Sequence, residues 1–197
     1  MKIFQHISFA FVIMISYTSS AQQEQAGFGR TILSFSPVQM SERTPTGFGV
    51  QYERFFSGNS KFSLYLPLAY SFGHSDPCDP AIRSRVFYAY PGIKYYPAGS
   101  QHLITYAVGP SLAFGQGVSN CDCSGSDVQT SDQKPKAYHA VTEMGAVINN
   151  SINLEANQHI YIGGEVGVGA TYLNKEGGQS MGTDLMLQIN FKVGYRF

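Results

Sequence analysis

The chain has 197 residues, a formal net charge of zero, and a charged fraction of 13%, about half that of an ordinary soluble domain. Zero net charge gives no global field that would draw it to nucleic acid, so no nucleic-acid partner is expected. Aromatic residues reach 14% without a Trp, and there are 21 glycines, so much of the surface is expected to face something other than water.

The chain opens MKIFQHISFAFVIMISYTSSAQQ, with Lys2, an apolar run from Ile7 to Ile15, and then Ser19-Ser20-Ala21. That is the plan of a secretory signal with a small-x-small cleavage site. Residues 1–21 are therefore expected to be a signal peptide and Gln22 the start of an exported chain, with 22–197 as one domain. No Cys stands at the cleavage point, so no lipid anchor is expected. Beyond the signal, no run of about 18 apolar residues exists for a spanning helix. The structure that still satisfies its backbone in lipid is a closed β-barrel.

Weak two-residue alternation begins at 29–39 and 46–56. It strengthens in KFSLYLPLAYSFG, where Phe62, Leu64, Leu66, Leu68, Tyr70 and Phe72 oppose Ser63, Tyr65, Pro67, Ala69 and Ser71. Alternate side chains of a strand leave on opposite faces, so this is a ribbon with one apolar and one polar side. The segment 84–96 loses phase at Pro91-Gly92, where a bulge or bend is expected. In ITYAVGPSLAFG (104–115), Ile104, Tyr106, Val108, Leu112 and Phe114 oppose small residues. A weaker strand at 136–149 follows, and IYIGGEVGVGATY continues the pattern from Ile160 to Tyr172. The last segment, DLMLQINFKVGYRF, is the cleanest. Leu185, Leu187, Ile189, Phe191, Val193, Tyr195 and Phe197 share one face; Asp184, Gln188, Asn190, Lys192 and Arg196 lie on the other. The count is about eight strands: an all-β, antiparallel, up-and-down transmembrane barrel.

The connections alternate too. Short turns are expected at SGNS (57–60), PAGSQ (97–101) and NSINLEANQ (150–158). Longer polar links separate them: QMSERTPT, HSDPCDPAIR, GVSNCDCSGSDVQTSDQKPK and NKEGGQS. Short turns on one rim and long loops on the other are the arrangement of outer-membrane barrels, with the short turns periplasmic. Alternation alone does not say which face meets lipid, because a soluble lipocalin-like carrier would turn its apolar face inward. The polar face decides: it is rich in Gly, Ser and Ala with few charges, which suits the crowded inside of eight strands rather than a wet exterior. Gly163, Gly167 and Gly169 share that inner face and are expected to make room for aromatic rings from other strands.

On these residues the chain resembles the small outer-membrane β-barrel proteins of Gram-negative bacteria, similar in plan to the OmpA-type transmembrane domain. The resemblance implies location in the bacterial outer membrane after signal-dependent export, with outer-membrane lipid as surroundings. In such proteins a last strand ending on an aromatic is read by the barrel-assembly machinery. The resemblance implies that role for Phe197, with Tyr195, Phe191 and Ile189 on the same face. With nothing after Phe197, no further periplasmic domain is expected.

The inner face should carry Glu53, Arg85, His139, Glu143, Glu165, Lys192 and Arg196. Buried charges must pair, because an unpaired one costs several kcal/mol. Pairing through 150–158 would set Glu143 near Glu165, and pairing through NKEGGQS would set Glu165 near Lys192. A layer of Glu143, Glu165 and Lys192 is therefore expected, completed by Arg85 or Arg196. Such a layer reads as a structural plug, since eight strands leave room for side chains and little else. His139 and Glu143 also invite a catalytic reading, as base and orienter of a lipid-modifying enzyme, but no serine stands out as nucleophile. No catalytic residue and no cofactor is expected.

Three cysteines lie in the long links: Cys78, Cys121 and Cys123. In an oxidising compartment a disulfide from Cys78 to Cys121 or Cys123 is the first reading. A metal reading with His74, Asp76, Asp79 and Asp122 competes with it. The function expected is a structural or surface-interaction role through the long loops, with an unidentified extracellular partner. A narrow channel or transport accessory is the alternative.

Overall fold

The computed structural model describes residues 29–41, 47–56, 61–74, 83–119, 138–157 and 159–197. The expected signal segment and the cysteines lie outside them, as do Asp76, Asp79 and Asp122.

Ten stretches of strand make one sheet: β1 (Thr31–Ser41), β2 (Gly47–Phe55), β3 (Phe62–His74), β4 (Arg83–Ala89), β5 (Gly92–Tyr95), β6 (Ile104–Ser119), β7 (His139–Glu155), β8 (Ile160–Glu176), β9 (Gln179–Ser180) and β10 (Asp184–Arg196). All pairings are antiparallel, and β10 pairs with both β8 and β1, which closes the sheet on itself. β4 and β5 are one stave interrupted by Pro91, and β9 is the outer arm of a hairpin on the end of β8. The barrel thus has eight staves, in agreement with the alternation in the sequence. The hairpin tip is Gly177-Gly178, with φ of +58° and +85°, the left-handed backbone that a two-residue hairpin turn requires.

The facing is inside out relative to a soluble protein. Along β10 the residues Gln188, Asn190, Lys192 and Arg196 are buried, while Leu187, Ile189, Phe191, Val193 and Tyr195 are exposed. The same holds for β6, where Leu112 and Phe114 are exposed and Ala107, Ser111 and Ala113 are buried. An apolar belt therefore surrounds a polar interior. Both described chain ends, and the connections β2–β3, β5–β6 and β7–β8, share one end of the barrel, the terminus rim. The connections β1–β2, β3–β4, β6–β7 and β8–β10 share the opposite loop rim.

Two expectations about register are corrected. No bulge occurs at Pro91-Gly92: the pairing of 83–95 with β3 and with β6 runs through it in constant register. The apparent loss of phase arises because tyrosines occupy both faces, with Tyr88, Tyr90 and Tyr96 buried and Tyr95 exposed. The bulges lie elsewhere. One is in β1 at Ser36-Pro37, where proline has no N–H to give. The other is in β8 beside Met144-Gly145 of β7, where Tyr172 is the extra residue.

The segment 150–158 is not a turn for most of its length. β7 continues to Glu155, because Ile152 and Leu154 face outward while Ser151, Asn153 and Glu155 face the lumen. The turn itself is short: Asn157 Oδ1 accepts from His159 N at 2.8 Å and from Ile160 N at 2.7 Å.

Candidate functional site in the lumen

The interior has the only dense collection of ionisable groups among the described residues, and it is layered along the barrel axis. The central layer takes one residue from each of four staves: Glu53 (β2), Lys94 (β5), Glu165 (β8) and Lys192 (β10), none more than 2% exposed. Glu165 Oε2 accepts from Lys94 Nζ at 2.5 Å and from Lys192 Nζ at 2.9 Å. Lys94 Nζ also lies 4.0 Å from Glu53 Oε2. Glu53 is held by Gln51 Nε2 at 3.1 Å, by Ser63 Oγ at 2.6 Å, and by the Tyr96 hydroxyl, all donating to it. Two ammonium and two carboxylate groups make the layer neutral, so the cost of burying each charge is offset within the layer itself. Aromatic rings complete the coordination, with Lys94 Nζ 4.4 Å from the Tyr65 ring centroid and Lys192 Nζ 5.6 Å from that of Tyr161.

Toward the terminus rim the lumen is shut by Arg196. Its guanidinium pairs with Glu155, donates to Ser100 O at 2.8 Å and Ser100 Oγ at 3.2 Å, and to Gly29 O at 2.6 Å. It also covers the Phe55 ring at 4.8 Å. Ile32, Phe55, Tyr96, Ala107 and Tyr161 pack beneath it. Toward the loop rim Val86, Tyr88, Tyr90, Val141, Val147 and Met186 pack together, with Tyr88 and Tyr90 stacked at 5.7 Å, among buried polar residues that include Ser84, Ser119 and Asn174. Glu143 sits in this upper layer and accepts from the Tyr88 hydroxyl at 2.9 Å. Between the upper and central layers, Asn149 donates to Ser111 Oγ at 2.7 Å and to the Tyr65 hydroxyl. A cavity of about 10 Å³ beside Asn190, Lys192, Gln51 and Ser36 has room for about one water molecule.

The residues read from the sequence separate into three groups. Glu53, Glu165 and Lys192 meet in the central layer. Glu143 and Arg196 are also in the lumen, but in different layers: Glu143 pairs in register with Asn174 and Glu165 with Ser151, so the expected Glu143–Glu165 neighbourhood is not formed. That expectation rested on taking 150–158 as a turn, which misplaced the β7–β8 register. His139 is half-exposed at the loop rim, beside Gly177. Arg85 is a correction of a different kind. It is exposed on the outer face, because inward positions of its stave carry even numbers (Val86, Tyr88, Lys94).

Sequence reasoning missed Lys94 and Glu155. Lys94 was hidden by the supposed break in phase, and Glu155 by the supposed turn; counting two-residue steps back from Tyr96 and forward from Asn149 reaches both. The inner glycines give way mainly to polar side chains. A Cβ on Gly163 would stand 2.6 Å from Asn153 Oδ1 and 2.9 Å from Lys192 Cε. The glycines that admit tyrosine rings are Gly92, whose Cβ would stand 2.6 Å from Tyr65 Cε1, and Gly115, 2.6 Å from Tyr88 Cε1. Of the expected terminal set, Ile189, Phe191, Tyr195 and Phe197 are all exposed on the outer face; Tyr195 stacks on His159 at 5.2 Å and on Phe197 at 6.2 Å.

No family model matches the chain, and no curated protein matches it. Solved structures do. Ail, the attachment invasion locus protein of Yersinia pestis, superposes with a TM-score of 0.54 at 10% identity, over 86% of this chain and 99% of Ail. The N-terminal β-barrel domain of Pseudomonas aeruginosa OprF gives 0.52 at 12% identity, over 88% and 100%. A major outer membrane protein from Thermus thermophilus gives 0.56 at 8% identity, over 86% and 98%. At these identities the likeness is one of fold: a closed antiparallel barrel of eight strands.

Proposed function

We propose that this chain is an outer-membrane β-barrel that neither conducts nor catalyses, and that acts through the connections on its loop rim. Its surroundings are outer-membrane lipid, reached by signal-dependent export and the barrel-assembly machinery. Its partner is an extracellular molecule met by the links 42–46, 75–82 and 120–137, or the envelope itself. The observation that carries this reading is the closed, charge-balanced lumen. Glu53, Lys94, Glu165 and Lys192 balance one another's charge at mid-height, Arg196 shuts one end, and Tyr88 and Tyr90 stack toward the other. A pore needs continuous polar space, and the cavity beside Lys192 has room for about one water molecule. The exposed belt of Leu, Ile, Val, Phe and Tyr supports the membrane placement, since water would penalise that surface and lipid would not.

Catalysis has little support from the geometry. The Glu143 carboxylate is engaged by Tyr88 within the upper layer, while His139 stands at the rim four residues away. The test is the purified, folded protein in a planar lipid bilayer. Its unboiled form should run differently on a detergent gel from its boiled form, and should show no stable conductance steps. Discrete openings in protein verified as folded would overturn the plugged-lumen reading and establish the channel instead.

A further inference from the structure

The outward faces of the staves carry hydrocarbon side chains along most of their length, and β7 holds an exception within the belt. Asn150 points outward and is exposed, between Ile148 and Ile152 on its own strand. In register it stands beside Val108 of β6 and Val166 of β8. Ile152 and Leu154 separate it from the terminus rim, while Ile148, Ala146 and Met144 continue the apolar face toward the loop rim. Its neighbour Ser151 pairs with Glu165, so the amide lies at the height of the central charged layer, on the other side of the barrel wall. Other outward polar side chains, such as Arg54, Arg85, Gln116 and Thr142, stand nearer the rims. The amide is only half satisfied. The Tyr106 hydroxyl donates to Asn150 Oδ1 at 2.7 Å, and nothing among the described residues accepts from Nδ2. Water would hydrate such a donor; hydrocarbon offers it no partner, and an unpaired amide there is costly. The surface around it is low. No aromatic ring stands on the outward face of β7, Ala146 pairs with Ala170, and Gly164, opposite Ile152, has nothing within 4 Å of where a Cβ would stand.

From these observations we infer that the β7–β8 face is the contact between two copies of this chain in the membrane, with Asn150 of each copy hydrogen-bonded to Asn150 of the other. The amide is complementary to itself: Nδ2 of one copy donates to Oδ1 of the second, and the second returns the bond. Oδ1 has two lone pairs, so it accepts from its own Tyr106 and from the second copy at once. A two-fold axis along the membrane normal keeps both copies at one depth and sets a residue lying on it against its own counterpart. An isologous contact centred on Asn150 therefore closes as a dimer. Aliphatic side chains give two barrels no reason to leave lipid for each other; association in a bilayer is driven by close packing over small residues and by polar bonds across the interface. Asn150 supplies the polar bonds, and Gly164, Ala146 and Ala170 permit the close approach. A second copy is favoured over an unrelated protein because it brings the matching donor and acceptor at the matching depth with no further component. The inference rests on the membrane reading above and adds the oligomeric state, with the face and the residue that set it.

The test uses the folded full chain in neutrally buoyant detergent micelles, with mass read by sedimentation equilibrium and folding by the unboiled gel band. The wild type should sediment as a dimer in equilibrium with monomer. Asn150→Leu removes both amide bonds of the dimer and should weaken association about tenfold. Gly164→Leu raises a side chain where the surface is open and should weaken it without touching the amide. Leu64→Ala, on the outward face of β3, should leave association unchanged. Folded wild type that stays monomeric at every ratio of protein to detergent would overturn the dimer, as would Asn150→Leu or Gly164→Leu dimers as tight as the wild type. A chain that stays dissolved without detergent and gives no heat-shifted band would instead sink the membrane reading, and the dimer with it.

Discussion

Replacing Glu165 with Gln keeps the volume of the side chain and removes one charge from a neutral set of four. Glu165 is the shared partner of both lysines, at 2.5 Å and 2.9 Å. At an effective dielectric near 20, each contact is an attraction of about 6 kcal/mol, set against several kcal/mol of desolvation per buried ion. With the carboxylate gone, Lys192 keeps its 3.4 Å hydrogen bond to Gln51 and the Tyr161 ring, and Lys94 keeps Glu53 at 4.0 Å and the Tyr65 ring. Removing one partner of a buried pair costs about 3–5 kcal/mol, so Glu165→Gln should destabilise the barrel by that amount. The double variant Glu165→Gln/Lys192→Met leaves one lysine and one glutamate and should recover more than half of the loss. Urea unfolding in lipid vesicles, followed by the shift between unboiled and boiled gel bands, reads both. A loss below about 1 kcal/mol for the single variant would refute the reasoning. So would a double variant no more stable than the single, because then charge balance would not be what holds the layer.

Gly115→Val would drive a side chain into the ring of Tyr88, whose Cε1 stands 2.6 Å from the position of a Cβ. Overpacking of this kind costs about 1–3 kcal/mol, read by the same unfolding assay. Val166→Arg tests the facing. Val166 is exposed midway along β8, and a charge at mid-belt costs about 2–4 kcal/mol in lipid. A barrel that kept its apolar face to water would lose almost nothing.

The fold was legible where the two faces differ in chemistry. DLMLQINFKVGYRF alternates aliphatic or aromatic with polar or small residues, so its direction, phase and face could be read without a partner. The same logic gave Glu53, Glu165, Lys192 and Arg196 as inward residues. It failed where chemistry did not follow the face. In VFYAYPGIKYY tyrosines stand on both sides, so alternation vanished although the backbone kept perfect register, and Lys94 was lost while Arg85 was counted in. In NSINLEANQ the inward residues Ser151, Asn153 and Glu155 are the types that also make turns. A polar lumen therefore imitates a loop, and the β7–β8 register slid with it. Which layer a charge occupies depends on that register, so the central constellation was only half readable from the chain.

Arg196 joins the last strand to Gly29, 167 positions away in the chain, and β1 meets β10 along the same seam. Every other stave pairs with a neighbour in sequence, so this seam alone brings together the two ends of the described chain. Closing so wide a loop is entropically expensive and slow, and such contacts come late. Until they form, β1 and β10 are two unpaired edges in an otherwise finished sheet, and the proline bulge of β1 lies on one of them. The rate at which this protein matures should therefore be governed by the meeting of its ends. An uncapped edge waiting there is also the place where a foreign strand could be taken in.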